Sequence, residues 1–339
     1  MSDTVRIGVA GLGYWGPNLA RNFAAIPGCE LAWCCDRDAG IRDKMSARFP
    51  SARPAEDLQE LLDDPDLDAV ALATPVPTHA QLAARVLLAG KHCYVEKPLG
   101  LSVADATQAV EAARDSGRLL MVGHLLEYHP AVRKLKELAD AGELGERIFY
   151  IYGNRVNLGQ LRADENALWS LGAHDVSVVL YLVGEEPCEA VAHGESYLRE
   201  GVEDVVFCFL RFPSGVCAHL HLSWLDPHKE RRFTVVGSTR MATFDDMALE
   251  GKVTVYDKGF DHDARSYGEY ITRAGGMVSP PLPSVEPLRL ECEHFVECVR
   301  VGRQPDSGGD SGLRVVRVLE ELQLSLENSR VSQRPPSYE

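Results

Sequence analysis

The chain has 339 residues, 35 Lys and Arg against 50 Asp and Glu, and a formal net charge of −15. Its length suits two domains, and 45% hydrophobic with 25% charged residues suits a globular chain with an ample core. The acidity argues against a nucleic-acid backbone or an anionic membrane as the main partner, because both would repel it. No apolar run approaches the ~18–20 residues of a membrane span, and Met1–Arg6 lacks the basic start of a signal peptide. Nine cysteines, an odd number with no C-x-x-C pair, sit mostly in apolar stretches. Free thiols in a reducing cytoplasm are therefore expected, with neither disulfides nor a metal.

The first third alternates two kinds of segment. Val5–Ala10, Leu31–Asp36, Ala69–Thr74, His92–Glu96 and Leu119–Val122 are compact apolar blocks that predict buried strands. Between them, Pro17–Ala25, Ile41–Phe49, Leu58–Leu62, Thr78–Ala89 and Val103–Ser116 carry helical spacing, the last with Ser102 as N-cap and Gly117 as stop. Such alternation predicts an α/β domain over 1–125, a doubly wound parallel sheet.

Beyond residue 125 the pattern changes. A helix over His129–Ala141 leads to a long strand, Arg147–Asn157, and a helix over Leu168–Leu182. Strand-like runs then follow one another: Cys188–Tyr197, Val205–Phe212, Val216–Leu225, Arg232–Val236, Met241–Asp245 and Val253–Tyr256. Consecutive strands of this kind predict an α+β domain over 126–330 with an open, mainly antiparallel sheet. Phe260–Pro287 reads as a Gly/Pro/Ser-rich loop, 286–301 and 313–329 as closing helices, and 331–339 as a tail.

Gly11-Leu-Gly13-Tyr-Trp-Gly16 follows the first strand and opens a helix at Pro17. Gly11 permits the tight turn, Gly13 lets a pyrophosphate approach the backbone, and Gly16 allows close helix–strand packing. The helix end offers N–H groups to the diphosphate. Asp36 follows Gly16 by 20 residues, where an acid accepts ribose hydroxyls. Its carboxylate favours NAD over NADP, although the adjacent Arg37 could accommodate a 2′-phosphate. Tyr14 and Trp15 lie within the turn; Trp15 either packs over the nicotinamide end or serves as a core aromatic.

Glu96-Lys97-Pro98 ends a strand on the carboxyl edge, where open α/β sheets bind ligands. Pro98 restricts Lys97 to extended geometry, and a part-buried Lys beside a cationic ring can transfer protons. Alone, that tripeptide would read as a surface lysine. Together with Gly11–Gly16, Asp36 and Thr74-Pro-Val-Pro-Thr-His79, in this order and spacing, it resembles the Gfo/Idh/MocA family of oxidoreductases over almost the whole chain. The resemblance implies a Rossmann domain, a substrate domain with an open antiparallel sheet, and nicotinamide-dependent redox chemistry at a sugar or cyclitol carbon. It also implies that Lys97 touches the reacting hydroxyl and the nicotinamide ribose. Thr74, Pro75, His79 and Glu96 line the cofactor, and His124 faces cofactor or substrate.

The family's second catalytic element is Asp-x-x-x-His on a helix, and the matching stretch here is Ser170-Leu-Gly-Ala-His174-Asp175. His174 fits the acid/base position, but Ser170 supplies no charge to stabilise an imidazolium, and Asp175 points about 100° away around a regular helix. Three outcomes stay open. Lys97 carries the proton transfer while His174 and Ser170 bind substrate; the substrate's own anion replaces the missing charge; or the chain keeps its cofactor with altered or no net redox turnover.

Gly13–Leu19, the segment Arg155-Val-Asn157-Leu-Gly159 and Trp169–Asp175 resemble the branch near sugar-nucleotide 3-dehydrogenases. That points to an anionic, nucleotide-linked sugar, with cyclitols and free sugars as the alternative. Arg155, with Asn157 two residues on, would hold the anion, or Arg155 forms a structural ion pair. Tyr128 and His129 read equally as interdomain packing, and His219 and His221 as sheet or interface residues. The resemblance implies a homodimer or homotetramer formed through the antiparallel sheet.

Overall fold

The computed structural model describes residues 4–159, 165–262 and 270–333. It begins with β1 (Val5–Ala10), α1 (Gly16–Ala25), β2 (Cys29–Cys35), α2 (Ala39–Arg48), β3 (Arg53–Ala55) and α3 (Leu58–Leu62). Next come β4 (Ala69–Leu72), α4 (His79–Leu88), β5 (His92–Glu96), α5 (Val103–Ser116) and β6 (Leu120–Gly123). The middle holds α6 (Pro130–Asp140), β7 (Ile148–Leu158), α7 (Ala173–Val183), β8 (Glu189–Glu195), β9 (Val205–Arg211) and β10 (Cys217–Ser223). The chain continues with β11 (Leu225–Gly237), β12 (Met241–Asp245), β13 (Val253–His262), β14 (Tyr270–Val278), α8 (Pro287–Val301) and α9 (Gly309–Gln333).

Two compact units result. One runs to Tyr128 and takes in Val285–Arg317; the other comprises His129–Ser284 and the chain from Val318. The first unit is a parallel sheet in the order β3-β2-β1-β4-β5-β6. That is the doubly wound order, whose strand direction of travel reverses beside β1. Strand β4, Ala-Val-Ala-Leu, is buried at every residue, as central parallel strands covered on both faces must be. Ser102 caps α5 by accepting from the Asp105 N–H at 3.1 Å, and Gly117 ends it at φ +66°.

Helix α8 corrects the expected boundary, for it belongs to the first unit. Its buried stripe of Leu288, Glu291, Cys292, Phe295 and Val296 follows helical spacing. Phe295 meets Tyr94 and Phe23 edge-on, with ring centres 5.8 and 6.3 Å apart, and Arg21 forks onto Glu286. Long-range packing of this kind leaves no mark in the order of the chain.

The second unit carries an eight-stranded sheet, β14-β13-β12-β11-β7-β10-β9-β8. Its pairs are antiparallel except β7 with β10, because β7 inserts between β10 and β11 and separates two consecutive strands. The Gly/Pro/Ser-rich stretch after Phe260 is not simply a loop. Strand β13 extends to His262 and pairs with β14 at the sheet edge. Strand β14 is exposed along nearly its whole length, so it shows no alternation that would announce a strand. Residues 263–269 and the tail beyond Gln333 lie outside the described residues.

One face of this sheet is buried through Ile151, Arg155, Val206, Cys208, Leu210, Leu220 and Leu222. The other carries rings. Tyr152 stacks on His219 at 5.4 Å and on Tyr150 at 6.2 Å, and Phe207 stacks on His221 at 4.6 Å. All nine cysteines are free thiols; six are buried, Cys29 and Cys217 half-buried, and Cys188 exposed. Among the described residues no helix is long and apolar enough to cross a membrane.

Candidate active site

The turn after β1 is shaped by what its glycines allow. At Gly11 (φ +86°) a Cβ would stand 2.6 Å from the backbone of Ala73, and at Gly16 it would stand 1.9 Å from the Gly11 carbonyl oxygen. Neither position accepts a side chain. At Gly13 a Cβ would meet nothing within 4 Å. The turn thus packs tightly inward at two glycines and is open at the third, the cradle that a diphosphate requires. Helix α1 starts here with Pro17 and no side-chain cap.

Asp36 follows β2 and steadies the same turn, its Oδ2 accepting from the Leu12 N–H at 2.7 Å and its Oδ1 from the Asp38 N–H at 2.9 Å. A carboxylate has about four lone-pair sites, so acceptors remain for ribose hydroxyls. Arg37 and Tyr14 are exposed. Trp15 is half-buried, packs against the core and hydrogen-bonds to Glu96. These residues fit a dinucleotide.

Thr74 and His79 are arranged differently from a simple cofactor lining. Thr74 Oγ1 lies 2.8 Å from Thr78 Oγ1, and Thr78 donates to the Pro75 carbonyl at 2.7 Å. His79 is buried, with Nε2 2.8 Å from the Thr74 carbonyl and Nδ1 2.8 Å from the Pro98 carbonyl. Both ring nitrogens face backbone carbonyls; the neutral ring donates its one N–H to one of them, and His79 sits between the loop after β4 and the loop after β5. Burial lowers its pKa, against the pull of the two carbonyls.

Lys97 is half-buried at the end of β5, joined to Pro98 by a cis peptide. Beside it, Glu96 Oε2 accepts from the Lys97 backbone N–H at 3.3 Å, and Glu96 Oε1 lies 3.2 Å from the Tyr94 hydroxyl. Burial outweighs the Lys97 charge and these hydrogen bonds and raises the Glu96 carboxyl to about 7. His124 follows β6 and is 1% exposed, and neither ring nitrogen has a hydrogen-bond partner among the described residues. Burial, then the charge of Lys97, lowers its pKa to about 3. A neutral imidazole with two unsatisfied nitrogens beside the lysine fits a residue that completes its bonds to a ligand.

In the second unit, the expected helix over Leu168–Leu182 opens with a π turn, Leu168–Gly172, before α7 begins. Regular helical phasing therefore does not relate Ser170 to His174. Ser170 is buried, its N–H bonded to the Asn166 carbonyl at 3.0 Å, and His174 is half-buried. Asp175 is fully buried, and its Oδ1 accepts from Arg155 Nε at 2.6 Å. Of the two readings of Arg155, the structure shows the ion pair. The arginine lies on the covered sheet face, 8% exposed, and a buried carboxylate demands such a partner. Asn157, two residues on, is half-buried.

Sequence reading missed Tyr94 and Glu291, whose oxygens stand 3.0 Å apart. A signal existed: Glu291 occupies a position in the apolar stripe of α8, where an acid is out of place. Among the described residues no group of three or more His, Cys, Asp or Glu is placed to hold a metal ion.

The family model described as an oxidoreductase family with an NAD-binding Rossmann fold matches residues 5–124, and the GFO/IDH/MocA C-terminal domain matches residues 132–243. The chain is 29% identical over 317 residues to scyllo-inositol 2-dehydrogenase (NAD(+)) of Bacillus subtilis (strain 168), covering 90% of this chain and 89% of that protein. It is 28% identical over 333 residues to 4-carboxy-2-hydroxymuconate-6-semialdehyde dehydrogenase of Sphingobium sp. (strain SYK-6), covering 95% and 99%. The solved structure of UDP-N-acetylglucosamine 3-dehydrogenase GnnA from Acidithiobacillus ferrooxidans superposes with a TM-score of 0.81 at 26% identity, covering 96% of this chain and 98% of that chain.

Proposed function

The chain belongs to the Gfo/Idh/MocA oxidoreductase family, and from that premise we propose that it interconverts a secondary hydroxyl and a ketone on a sugar or cyclitol ring. The observation that carries this reading is the pairing, on one edge of one parallel sheet, of the open cradle at Gly13 with Lys97. NAD, when bound, supplies the acceptor for the carbinol hydride, chemistry that no side chain offers. Gly11, Gly13, Gly16 and the start of α1 would hold its diphosphate, and Asp36 its ribose. The Asp36 carboxylate repels a 2′-phosphate, which favours NAD over NADP.

In oxidation Lys97 takes the hydroxyl proton as its neutral amine, and in reduction its ammonium form returns the proton. Ser170 brings no charge to His174, and Asp175 is engaged by Arg155. We assign proton transfer to Lys97 and substrate orientation to His174, Ser170 and Asn157. His124 completes the ligand's hydrogen bonds.

Similarity to a UDP-N-acetylglucosamine dehydrogenase along the whole chain favours a nucleotide-linked sugar as the finer reading. The net charge of −15 and the engagement of Arg155 weigh toward a neutral ring. NADH formation with nucleotide sugars, cyclitols and free sugars, side by side, decides between them. Turnover with one of these classes is expected, and no turnover with any would refute the proposal. The row of exposed Tyr150, Phe207 and His219 with half-buried Tyr152 and His221 supports self-association through the sheet, as a dimer or tetramer.

A further inference from the structure

Three oxygens stand in line in the first unit. The Tyr94 hydroxyl lies 3.2 Å from Glu96 Oε1 and 3.0 Å from Glu291 Oε2. Tyr94 has one hydroxyl proton and can donate to only one of these carboxyl groups. For both contacts to be hydrogen bonds, a second proton must sit on a carboxyl. Of the two, Glu96 is the better placed to carry the charge: burial raises it only to about 7, because it accepts from the Lys97 backbone N–H, hydrogen-bonds to Trp15 and lies near the Lys97 charge. Glu291 is 0% exposed, and its Oε1 has no hydrogen-bond partner among the described residues. The charged or titratable groups acting on it are Tyr94 and Glu96 on β5, Glu127 and Tyr128 before α6, and Cys292 beside it on α8, with no cation among them.

We propose that Glu291 is a positioning residue for Lys97: a neutral carboxyl that donates to Tyr94 Oη, so that Tyr94 donates to Glu96 and keeps it the anionic partner of the lysine. Burial, then the Glu96 charge, pushes the Glu291 carboxyl well above the usual carboxylate range, in the same direction as the proton count. A hydroxyl that accepts a hydrogen bond is a better donor, so the proton on Glu291 strengthens the bond to Glu96. The chain ends inside the protein at Glu291, so it orients charge and does not discharge protons to water. Only its consequence at Lys97 rests on the function proposed above.

Infrared difference spectra of the full chain, without substrate, test the assignment. Glu291→Gln should remove a protonated-carboxyl carbonyl band that the wild type shows at neutral pH. It should also leave the titration of Glu96, identified with Glu96→Gln, unmoved. Glu291→Leu should shift the Glu96 midpoint to higher pH, and Tyr94→Phe should shift it further. In turnover the acid limb of the pH profile should move up in the same order, with KM little changed and Glu291→Gln close to wild type. If Glu291 is ionised, no band is lost and Glu291→Gln lowers the Glu96 midpoint; either result overturns the proposal. Loss of the band in a chain that reduces no NAD with any sugar upholds the assignment and refutes only the functional reading.

Discussion

The two candidate acid–base residues sit in contrasting surroundings. Around Lys97, the first unit gathers Glu96, Tyr94, Glu291 and the unsatisfied ring of His124, while His79 sits between the adjoining loops. Around His174, the second unit places a serine four residues earlier, and the neighbouring aspartate faces Arg155 instead. Buried titratable groups are therefore concentrated on the lysine side. In the function proposed above the histidine orients substrate, and this contrast is what that proposal offers in place of the family's usual aspartate.

The largest effect should come from breaking the ion pair on the histidine side. Arg155→Ala strands a buried Asp175 and should cost about 3–5 kcal/mol in urea unfolding. Unchanged stability with a raised KM would instead place Arg155 against substrate and erase the contrast. On the lysine side, His124 titrates far below its ordinary 6.5, at about 3. A depressed histidine contributes stability above its unfolded pKa and loses it as pH falls through the folded one. Stability should therefore decline between pH 6.5 and about 3, by at most about 1.4 kcal/mol per pH unit from this residue. His124→Leu should flatten that decline in unfolding curves collected across the range; an unaltered slope would mean that His124 does not titrate there.

Gly13→Ala should leave the melting temperature near wild type, since its Cβ meets nothing, yet weaken NAD binding by about tenfold or more in a fluorescence titration. Equal affinity would remove the cradle from the site. The smallest change tests whether the histidine side can be rebuilt. Ser170→Asp should raise turnover by up to about tenfold if the absent charge is a deficit, and lower it if the chemistry is already tuned to Lys97.

How much of this was legible depends on where each signal resides. The cradle was readable because glycine requirements are backbone requirements: Gly11 is fixed by its positive φ and Gly16 by its contact with the Gly11 carbonyl. Helix α5 was readable at both ends from Ser102 and Gly117 for the same reason. The π turn at Leu168–Gly172 has no residue signature, so placing Ser170 and His174 on one regular helix over Leu168–Leu182 assumed a geometry that is absent there. Arg155–Asp175 and Tyr94–Glu291 join residues 20 and 197 positions apart, and only the fold brings them together. The parallel pairing of β7 with β10 was hidden likewise, since strand order is a property of the whole sheet.

The most direct test of the account is the initial rate of NADH formation by wild type and Lys97→Ala on the best substrate of the panel, with NAD affinity measured alongside. The account predicts a fall in kcat of about 10²–10⁴ with NAD binding retained, because the cradle and Asp36 remain while proton transfer is lost. Turnover undiminished in Lys97→Ala, or abolished only because NAD no longer binds, would contradict it.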